Sequence, residues 1–361
     1  MRIIISSSPT GGHLFPALMV AEQLRQMGHD LLFAGTFGFG TVWIRSAGFR
    51  FEEVSANPLV FSSIRKGFSS VISMVRASGA GRNILSRFRP DVVIGFGGYG
   101  SFPVVLAAYL SGRPCLIHEQ NVTVGRANAV MSRFAKKVAV SFKQSFSCFP
   151  KAKTVLTGCP YHGIPVEAQR NKAFEMLGLK PGKVTVLVFG GSQGSSRINK
   201  EFFSAAGLLI KEIDLQVIHI SGNNDYEGLR EGYAKAGIPV GLFAFLDEIG
   251  YAYLAADIVV SRAGAVTVFE IAASRLPAVF IPYPHATAGH QEKNAIALSE
   301  LGSAAIIREE ELSAQALKDA ILKMLIYRGN AIEMERRFKE FCIPDAARRI
   351  AEEALSLAKN G

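Results

Sequence analysis

The chain has 361 residues, of which 49% are hydrophobic and 19% charged, with a formal net charge of +10. This length exceeds one typical hydrophobic core and predicts two domains. Because no run of about 18 apolar residues occurs, we expect no membrane-spanning helix, and the N-terminus lacks the pattern of a signal peptide. Cysteines without Cys-x-x-Cys spacing predict reduced thiols in a cytosolic protein and no metal site; they are Cys115, Cys148, Cys159 and Cys342.

The excess of basic over acidic residues lies in the first half of the chain. Residues 1–166 carry 18 Lys and Arg against 6 Asp and Glu, whereas residues 167–361 carry 22 against 24. Residues 59–90 contain six basic residues, no acidic residue and many large apolar side chains. This pattern fits a surface that binds anionic membranes, and equally a solvated helix whose apolar face is core. We predict no nucleic-acid binding, because no recognition module or aromatic stacking pattern is present.

Short apolar segments alternate with helical patterns and predict a parallel α/β sheet in each half. In the first half the predicted strands are Arg2–Ser6, Asp30–Ala34, Asp91–Gly95, Pro114–His118, Lys137–Val140 and Thr154–Leu156. In the second half they are Val184–Phe189, Gln216–Ile220, Val240–Phe243, Ile258–Ser261, Ala278–Ile281 and Ala304–Ile307. Glycine and proline near 158–165 predict the linker, so we expect domains at 1–160 and 161–340, with a helical segment at 341–361.

Each half opens with a strand, a glycine-rich loop and a helix. The first loop, 7–13, precedes an apolar helix from Phe15 to Met27, and the second, 190–195, precedes a helix through Asn199. Free backbone N–H groups and the helix dipole favour an anion at such loops. Two of them predict two Rossmann-like domains facing each other across a cleft. Neither loop has a clean Gly-x-Gly-x-x-Gly or a P-loop lysine, which argues against a dehydrogenase and an ATPase.

The segment from Ser261 to Asn294 holds the densest group of chemically informative residues. A strand ends at Ser261 and a helix begins around 264–267, so the free N–H groups of that helix point out of the sheet edge at an anion. Glu270 lies about one turn into this helix. A carboxylate there either accepts hydrogen bonds from ribose hydroxyls or only complements the helix dipole.

Taken together, the motifs occur in a specific order. They are 10–16, 97–103, 118–121, 190–194, 262–267 with Glu270, 282–284, 290–291 with Asn294, and 343–345. In this order they resemble, over essentially the whole chain, the MurG family of N-acetylglucosaminyltransferases that make lipid II in bacterial cell-wall synthesis. The resemblance implies the α/β GT-B glycosyltransferase fold, with residues 341–361 forming a helix that packs back on the first domain. It implies no cofactor and no metal.

The resemblance also implies the substrates and the residues that bind them. The donor would be UDP-N-acetylglucosamine, and the acceptor the undecaprenyl-pyrophosphoryl-linked MurNAc-pentapeptide, lipid I. Carried over by position, Leu246 would meet the uracil and Glu270 the ribose, and Asn121 and Gln291 the GlcNAc. The remaining implied positions are Ser192, Ala265, Val266 and Thr267 at the pyrophosphate, His162 near the donor, and Thr10, Gly11 and Gly12 near the sugar or acceptor.

The chain departs from the family pattern at two places. Ser8-Pro9 stands where the family usually has two glycines, which makes the entrance of the first loop stiffer. His162 stands where the family has an arginine. An arginine is always charged and binds oxygen atoms in a fork, whereas a histidine is mostly neutral at pH 7, so this donor contact is expected to differ.

The resemblance also implies that the configuration at C1 of the transferred sugar is inverted. Such a transfer requires a base that takes the proton of the acceptor's C4 hydroxyl. His13 is the first candidate, since it follows a Thr-Gly-Gly turn at a helix start; its alternative role is to hydrogen-bond the loop. Glu119 is the second candidate, and Tyr99 and His118 fall on motif positions linked to activity. We expect a peripheral protein on the cytoplasmic face of the bacterial inner membrane. Its expected partners are the anionic membrane surface and, as candidates, cell-wall synthesis and division proteins.

Three alternatives remain open from the residues. A related glycosyltransferase would move a sugar to another lipid and would share the UDP site. A nucleotide-sugar epimerase of the same two-domain architecture would need no basic membrane segment, so residues 59–90 argue against it. A non-catalytic nucleotide-binding module would not need His13, Asn121, Glu270 and Gln291 together.

Overall fold

A computed structural model describes residues 1–56, 64–161, 163, 169–191, 194–327 and 331–359, with the backbone alone for 64–75, 327 and 331–335. Within these ranges the chain forms two compact units. Unit 1 comprises Met1–Tyr161 and Ile343–Gly361, and unit 2 comprises His162–Cys342. The final segment therefore belongs to the same unit as the N-terminus.

Unit 1 contains a parallel sheet and the helices that cover it. Its strands are β1 Arg2–Ser6, β2 Asp30–Gly35, β3 Phe51–Glu53, β4 Val92–Gly95, β5 Cys115–Glu119, β6 Lys137–Val140 and β7 Thr154–Leu156. Its first five helices are α1 Gly11–Gln26, α2 Thr41–Ser46, α3 Ile64–Phe88, α4 Phe102–Leu110 and α5 Arg126–Met131. The order in the sheet is β3-β2-β1-β4-β5-β6-β7.

Unit 2 repeats the same plan. Its strands are β8 Val184–Phe189, β9 Leu215–Ile220, β10 Val240–Phe243, β11 Ile258–Ser261, β12 Ala278–Phe280 and β13 Ala304–Ile306. Its helices are α6 Arg170–Met176, α7 Ser196–Leu209, α8 Tyr226–Ala236, α9 Ile249–Ala255, α10 Ala265–Ala273, α11 His290–Ser299, α12 Ala314–Tyr327 and α13 Ala331–Phe341. The order in the sheet is β10-β9-β8-β11-β12-β13, and α14 Ala346–Lys359 then returns to unit 1.

Both sheets are built from parallel strand pairs. Parallel neighbours need crossover connections, so helices cover both faces and the strands become apolar on both sides. The strand order reverses direction between β1 and β4 in unit 1 and between β8 and β11 in unit 2. Ligands of open α/β sheets bind at the carboxyl ends of the strands at such reversal points, which locates one candidate site in each unit.

Alternating side chains of β1 show how the core of unit 1 is divided. Ile3 and Ile5 pack on one face with residues of α1 and α14, whereas Ile4 packs on the other face with residues of α3 and α4. Successive side chains of a strand point to opposite faces, so a single apolar run fills two cores. All three isoleucines are 0% exposed.

The structure differs from the sequence prediction at two elements near the N-terminus. Strand β3 was not predicted, because Phe51–Glu53 is a three-residue edge strand with little apolar signal. Helix α1 begins at Gly11 rather than Phe15, since the carbonyl of Thr10 accepts from the N–H groups of His13 and Leu14, both at 3.0 Å. The first glycine loop is therefore shorter than predicted, and His13 lies in the first turn of a helix.

The basic segment at 59–90 is described in part. Residues 57–63 and the side chains of 64–75 lie outside the described set. The surroundings of the apolar side chains in this segment, up to Met74, are therefore not described. Farther along α3, Ala77, Ile84 and Leu85 are buried in the core, whereas Arg76 and Arg82 are exposed. This part of α3 is an amphipathic helix with its basic side chains in solvent. Among the described residues, no helix combines the length and apolarity needed to span a bilayer.

Helix α14 packs against α1 in unit 1. Its side chains Ile350, Ala351 and Ala354 are each 0% exposed and belong to the same core as Leu14 and Val20. Lys137 of β6 forms a salt bridge with Glu353. The last segment of the chain is thus part of the hydrophobic core of unit 1.

Candidate functional site

The glycine-rich loop at 7–13 and the glycine motif at 97–103 meet at the reversal point of unit 1. Gly98 follows β4 with φ +75°, and a Cβ built on it would lie 2.2 Å from the hydroxyl oxygen of Ser8. That hydroxyl accepts the N–H of Gly100 at 2.8 Å. Ser8, one of the two departures from the family pattern, therefore links the loop after β1 to the loop after β4 by a hydrogen bond that a glycine could not make.

His13 lies in the first turn of α1 and is half-buried. Its Nδ1 is 3.2 Å from the side-chain oxygen Oε1 of Gln120. A Cβ built on Gly98 would lie 3.2 Å from the ring carbon Cδ2 of His13, so the loop after β4 lies against the His13 ring. Thr10 and Gly12 beside it are exposed and Gly11 is half-buried, so this turn presents backbone N–H groups of a helix N-terminus to solvent.

Glu119 ends β5 and is 1% exposed. Its oxygen Oε1 accepts the backbone N–H of Asn121 at 3.0 Å, and Oε2 accepts the N–H of Gly125 at 2.9 Å and the amide of Asn128 at 2.9 Å. The buried carboxylate thus fixes the loop from 121 to 125. Asn121, the predicted sugar contact, is half-buried in that loop.

His118 and Gln120 form a buried polar cluster beside Glu119, with exposed fractions of 0% and 1%. The amide Nε2 of Gln120 lies 2.8 Å from the carbonyl of Phe96 and 3.3 Å from Nδ1 of His118. Nε2 of His118 lies 3.2 Å from the carbonyl of Gly158 and 3.1 Å from Oγ of Ser141. Burial lowers the pKa of His118 to about 4, so this ring is neutral at pH 7.

In unit 2 the start of α10 forms the candidate anion site. Gly264 is the N-cap residue, and the carbonyl of Gly264 accepts the N–H of Val268 at 2.9 Å. The N–H groups of Ala265, Val266 and Thr267 precede this first helical bond, so they point out of the helix at the reversal point between β8 and β11. The predicted helix start is therefore confirmed.

Glu270 lies one turn into α10 and is 6% exposed. Its oxygen Oε2 accepts a hydrogen bond from the hydroxyl of Tyr253 at 3.0 Å. Burial, together with the neighbouring Glu270 carboxylate, raises the pKa of Tyr253 well above its usual value. Tyr253 therefore remains a protonated donor that orients the carboxylate.

Arg262, directly after β11, joins three loops of unit 2. Its guanidinium donates to the carbonyl of Ile281 at 3.1 Å and to Oγ of Ser195 at 3.0 Å, and it forms a salt bridge with Glu309. Its carbon Cζ also lies 5.4 Å from the ring centroid of Tyr283. Because Glu309 balances its charge, Arg262 acts here as a connector between the loops after β8, β12 and β13.

The other predicted donor residues lie on neighbouring loops of unit 2. Gln291, in the first turn of α11, accepts the backbone N–H of Tyr283 at 2.9 Å. The amide of Asn294 donates to the carbonyl of Ala263 at 3.2 Å, which ties α11 to the loop before α10. Leu246 is half-buried in the loop after β10. His162 and Ser192 lie outside the described residues, so their predicted roles stay predictions.

Gly194, near the end of the second glycine loop, packs closely against the loop after β9. A Cβ on Gly194, which has φ +77°, would lie 2.2 Å from the carbonyl oxygen of Ser221. That same carbonyl accepts from the amide of Asn199 at 2.8 Å, and Asn199 in turn contacts Nε2 of the buried His219 at 3.0 Å. A network of buried polar side chains therefore supports the backbone that packs against Gly194.

Sequence reasoning did not single out four residues that organise these sites. They are Gln120, Tyr253, Ser195 and Arg262. Gln120 and Arg262 lie inside quoted motifs, which is the signal that could have identified them. Tyr253 carries no sequence signal, because its contact with Glu270 joins residues 17 apart in sequence on two different helices.

Comparison with known proteins agrees with this geometry. The family model described as "Glycosyltransferase family 28 N-terminal domain" matches residues 3–140, and that described as "Glycosyltransferase family 28 C-terminal domain" matches residues 185–350. The UDP-N-acetylglucosamine--N-acetylmuramyl-(pentapeptide) pyrophosphoryl-undecaprenol N-acetylglucosamine transferase of Thermodesulfovibrio yellowstonii is 35% identical over 99% of this chain and 99% of its own.

Solved structures resemble the whole chain. The crystal structure of Acinetobacter baumannii MurG has a TM-score of 0.78 and 28% identity, and the match covers 98% of this chain and 99% of that one. A putative UDP-N-acetylglucosamine 2-epimerase from Listeria monocytogenes has a TM-score of 0.68 at 13% identity over 100% and 97% of the two chains. The latter likeness shows the fold alone, so the fold by itself does not separate a transferase from an epimerase.

The predicted fold class, a GT-B glycosyltransferase with two Rossmann-like parallel-sheet domains, is confirmed by both sheets and by these structures. The predicted resemblance to the MurG family is confirmed by 35% sequence identity over 99% of the chain. The chain therefore belongs to glycosyltransferase family 28, within the MurG family of N-acetylglucosamine transferases.

Proposed function

We propose that this chain transfers N-acetylglucosamine from UDP-N-acetylglucosamine to the C4 hydroxyl of undecaprenyl-pyrophosphoryl-MurNAc-pentapeptide, with inversion at the sugar. The observation that carries the proposal is the near-full-length likeness to a transferase named for this donor and acceptor. In the reaction, the acceptor oxygen bonds to C1 of the sugar while the bond from C1 to UDP breaks. The electron pair leaves on the β-phosphate, and the hydroxyl proton passes to a base.

Unit 2 is proposed to bind the donor. The N-terminus of α10 offers the N–H groups of Ala265, Val266 and Thr267 to the pyrophosphate, where they stabilise the charge that develops on departing UDP. Glu270 is oriented by Tyr253 and is proposed to accept from the ribose hydroxyls. Leu246 is proposed at the uracil, Gln291 at the sugar, Ser192 at the diphosphate, and His162 near the donor.

Unit 1 is proposed to supply the base and to contact the acceptor and the sugar. His13 is favoured over Glu119 as the base, because the Glu119 carboxylate is already the acceptor for the loop from 121 to 125. A protonated Glu119 would lose these charge-assisted hydrogen bonds. Thr10, Gly11 and Gly12 lie in the same turn as His13, and Asn121 is held by Glu119.

We also propose that unit 1 binds the cytoplasmic surface of the inner membrane reversibly. The acceptor's lipid chain stays in the bilayer, so the enzyme must dock there to reach the sugar. Support comes from the excess of basic residues in the first half and from the exposed Arg76 and Arg82 of α3. Each basic residue near an anionic surface contributes about 1 kcal/mol of attraction.

Turnover with a soluble lipid I analogue should require both uridine and N-acetylglucosamine in the donor. We expect release of the nucleoside diphosphate from UDP-N-acetylglucosamine, and much less from UDP-glucose or TDP-N-acetylglucosamine, because a site built to hydrogen-bond a substrate group rejects analogues that lack it. Product analysis should show one β-linked GlcNAc per acceptor. Equal turnover on UDP-glucose, or epimerised UDP-sugar without transfer, would contradict the proposal.

Glu270→Ala should weaken UDP binding by about 1.5–3 kcal/mol, the contribution of hydrogen bonds to a charged group. Calorimetric titration with UDP measures the change. Tyr253→Phe is the matched control, since it removes the hydrogen bond to Glu270 but keeps the carboxylate, and its effect on affinity should be smaller. Unchanged affinity in Glu270→Ala would assign the carboxylate to the helix dipole alone.

His13→Ala should lower kcat about 10²–10⁴-fold, the usual contribution of a positioned base, while UDP affinity stays near that of the unmodified enzyme. His29→Ala provides the control, because His29 lies in the same unit beyond the other end of α1 and should leave kcat unchanged. If His13→Ala retains full turnover at saturating acceptor, His13 is not the base.

The triple variant Arg65→Glu, Lys66→Glu and Arg76→Glu should lose binding to anionic vesicles but keep UDP binding. Co-sedimentation should show salt-sensitive binding of the unmodified protein to anionic vesicles and weaker binding to neutral ones, since charge attraction is screened. The control, Lys200→Glu, Arg230→Glu and Lys235→Glu, changes the net charge equally on exposed residues of unit 2. Equal sedimentation of both triple variants would place the membrane contact elsewhere.

A further inference from the structure

The side chain of Gln120 connects His13 and His118 in unit 1. It is 1% exposed, and its oxygen and its nitrogen face different partners. Oε1 lies 3.2 Å from Nδ1 of His13, whereas Nε2 lies 2.8 Å from the carbonyl of Phe96 and 3.3 Å from Nδ1 of His118. An amide that bridges two imidazoles determines which nitrogen of each ring carries the hydrogen.

The carbonyl of Phe96 determines the orientation of this amide. A backbone carbonyl only accepts hydrogen bonds, so the amide NH₂ of Gln120 must face it. The opposite orientation would place two acceptor oxygens in contact inside the core and deprive the carbonyl of Phe96 of this donor. A buried polar group that loses its partner costs about 1–3 kcal/mol. Oε1 is therefore directed at His13.

The tautomer of His118 follows from the same amide. Its Nδ1 faces the NH₂ of Gln120 and must accept, so its hydrogen is on Nε2, which donates to the carbonyl of Gly158 at 3.2 Å. A neutral ring with one hydrogen satisfies both partners. Burial lowers the pKa of His118 to about 4, which is consistent with a neutral ring at physiological pH.

His13 is left with the opposite tautomer. Because Oε1 of Gln120 only accepts, Nδ1 of His13 carries a hydrogen. In the neutral ring the lone pair is then on Nε2. When Nε2 takes up a proton, the bond from Nδ1 to Oε1 becomes charge-assisted and stronger, so the same contact also stabilises the imidazolium.

We propose that Gln120 is a positioning residue that holds His13 in its Nδ1–H tautomer and thereby makes Nε2 the atom that accepts the hydroxyl proton. This inference rests on the proposed role of His13 as the base. The role corresponds to that of the buried carboxylate in a catalytic triad, which fixes a histidine tautomer. Here a neutral amide takes that role, and its orientation is set by the carbonyl of Phe96 and by His118.

Nuclear magnetic resonance of the full chain with ¹⁵N-labelled histidine rings tests the tautomers directly, with assignments from single histidine variants. We expect His13 to be protonated at Nδ1 and His118 at Nε2. His219 is an internal reference, because Asn199 Oδ1, 3.0 Å from its Nε2, fixes it as Nε2–H. A His13 ring protonated at Nε2 alone would overturn the inference, whatever the variants do.

Activity measurements test the consequence. Gln120→Met keeps the shape of the side chain but removes its hydrogen bonds, and should lower kcat about 10–100-fold, as when outer partners of a ligating histidine are lost. KM for UDP-N-acetylglucosamine should change little, and His13 should become a mixture of tautomers. Gln216→Met is the matched control, since Gln216 is equally buried and bridges Lys180 and Thr185 in unit 2, and kcat should be unaffected.

The outcomes separate this inference from the proposed function. If Gln120→Met keeps full kcat while His13→Ala loses it, His13 is the base and Gln120 does not position it. If His13→Ala also keeps full kcat, the proposed base is wrong, and the ring spectrum alone reports whether Gln120 fixes the tautomer. Should Gln120→Met fail to fold, the spectrum of the unmodified protein still decides.

Discussion

Parallel strand pairing is the constraint on which the rest of the molecule depends. Strands that run in the same direction end at the same edge of a sheet, and successive strands must be joined by a crossover connection, usually a helix. The loops after β1, β4 and β5 therefore meet at one edge of unit 1, and the loops after β8, β11 and β12 meet at one edge of unit 2. Residues from widely separated motifs become neighbours there without long loops to carry them.

Within unit 1, the final segment of the chain packs close to the residues that support the candidate base. A Cβ on Gly158, which has φ +82°, would lie 2.8 Å from the Cβ of Ile343, so the chain can pass the returning C-terminal segment only at a glycine. The carbonyl of that glycine lies 3.2 Å from Nε2 of His118, and His118 in turn contacts Gln120. The packing of the final segment and the hydrogen-bond pattern around His13 are thus parts of one continuous network of contacts.

The two units stabilise charged side chains with different partners. In unit 1 the buried carboxylate of Glu119 is stabilised by N–H donors of one loop. In unit 2 the guanidinium of Arg262 is balanced by Glu309, and the loops it joins surround the start of α10. The candidate anion site at that helix consists of backbone N–H groups, which the helix fixes in position and which need no reorganisation to face an anion.

The sequence by itself determined the two-domain α/β architecture, nearly all of the strands and the family, because buried parallel strands are continuous apolar runs and the glycine motifs occur in a distinctive order. Local signals failed where they are weak: Phe51–Glu53 is too short to show a period, and the start of α1 depends on which N–H groups the carbonyl of Thr10 accepts. Only the tertiary structure decided what Glu119, Gln120 and Arg262 do. A side chain's hydrogen-bond partners depend on atoms brought together by the fold, such as the carbonyls of Phe96 and Gly158, and no spacing along the chain encodes them.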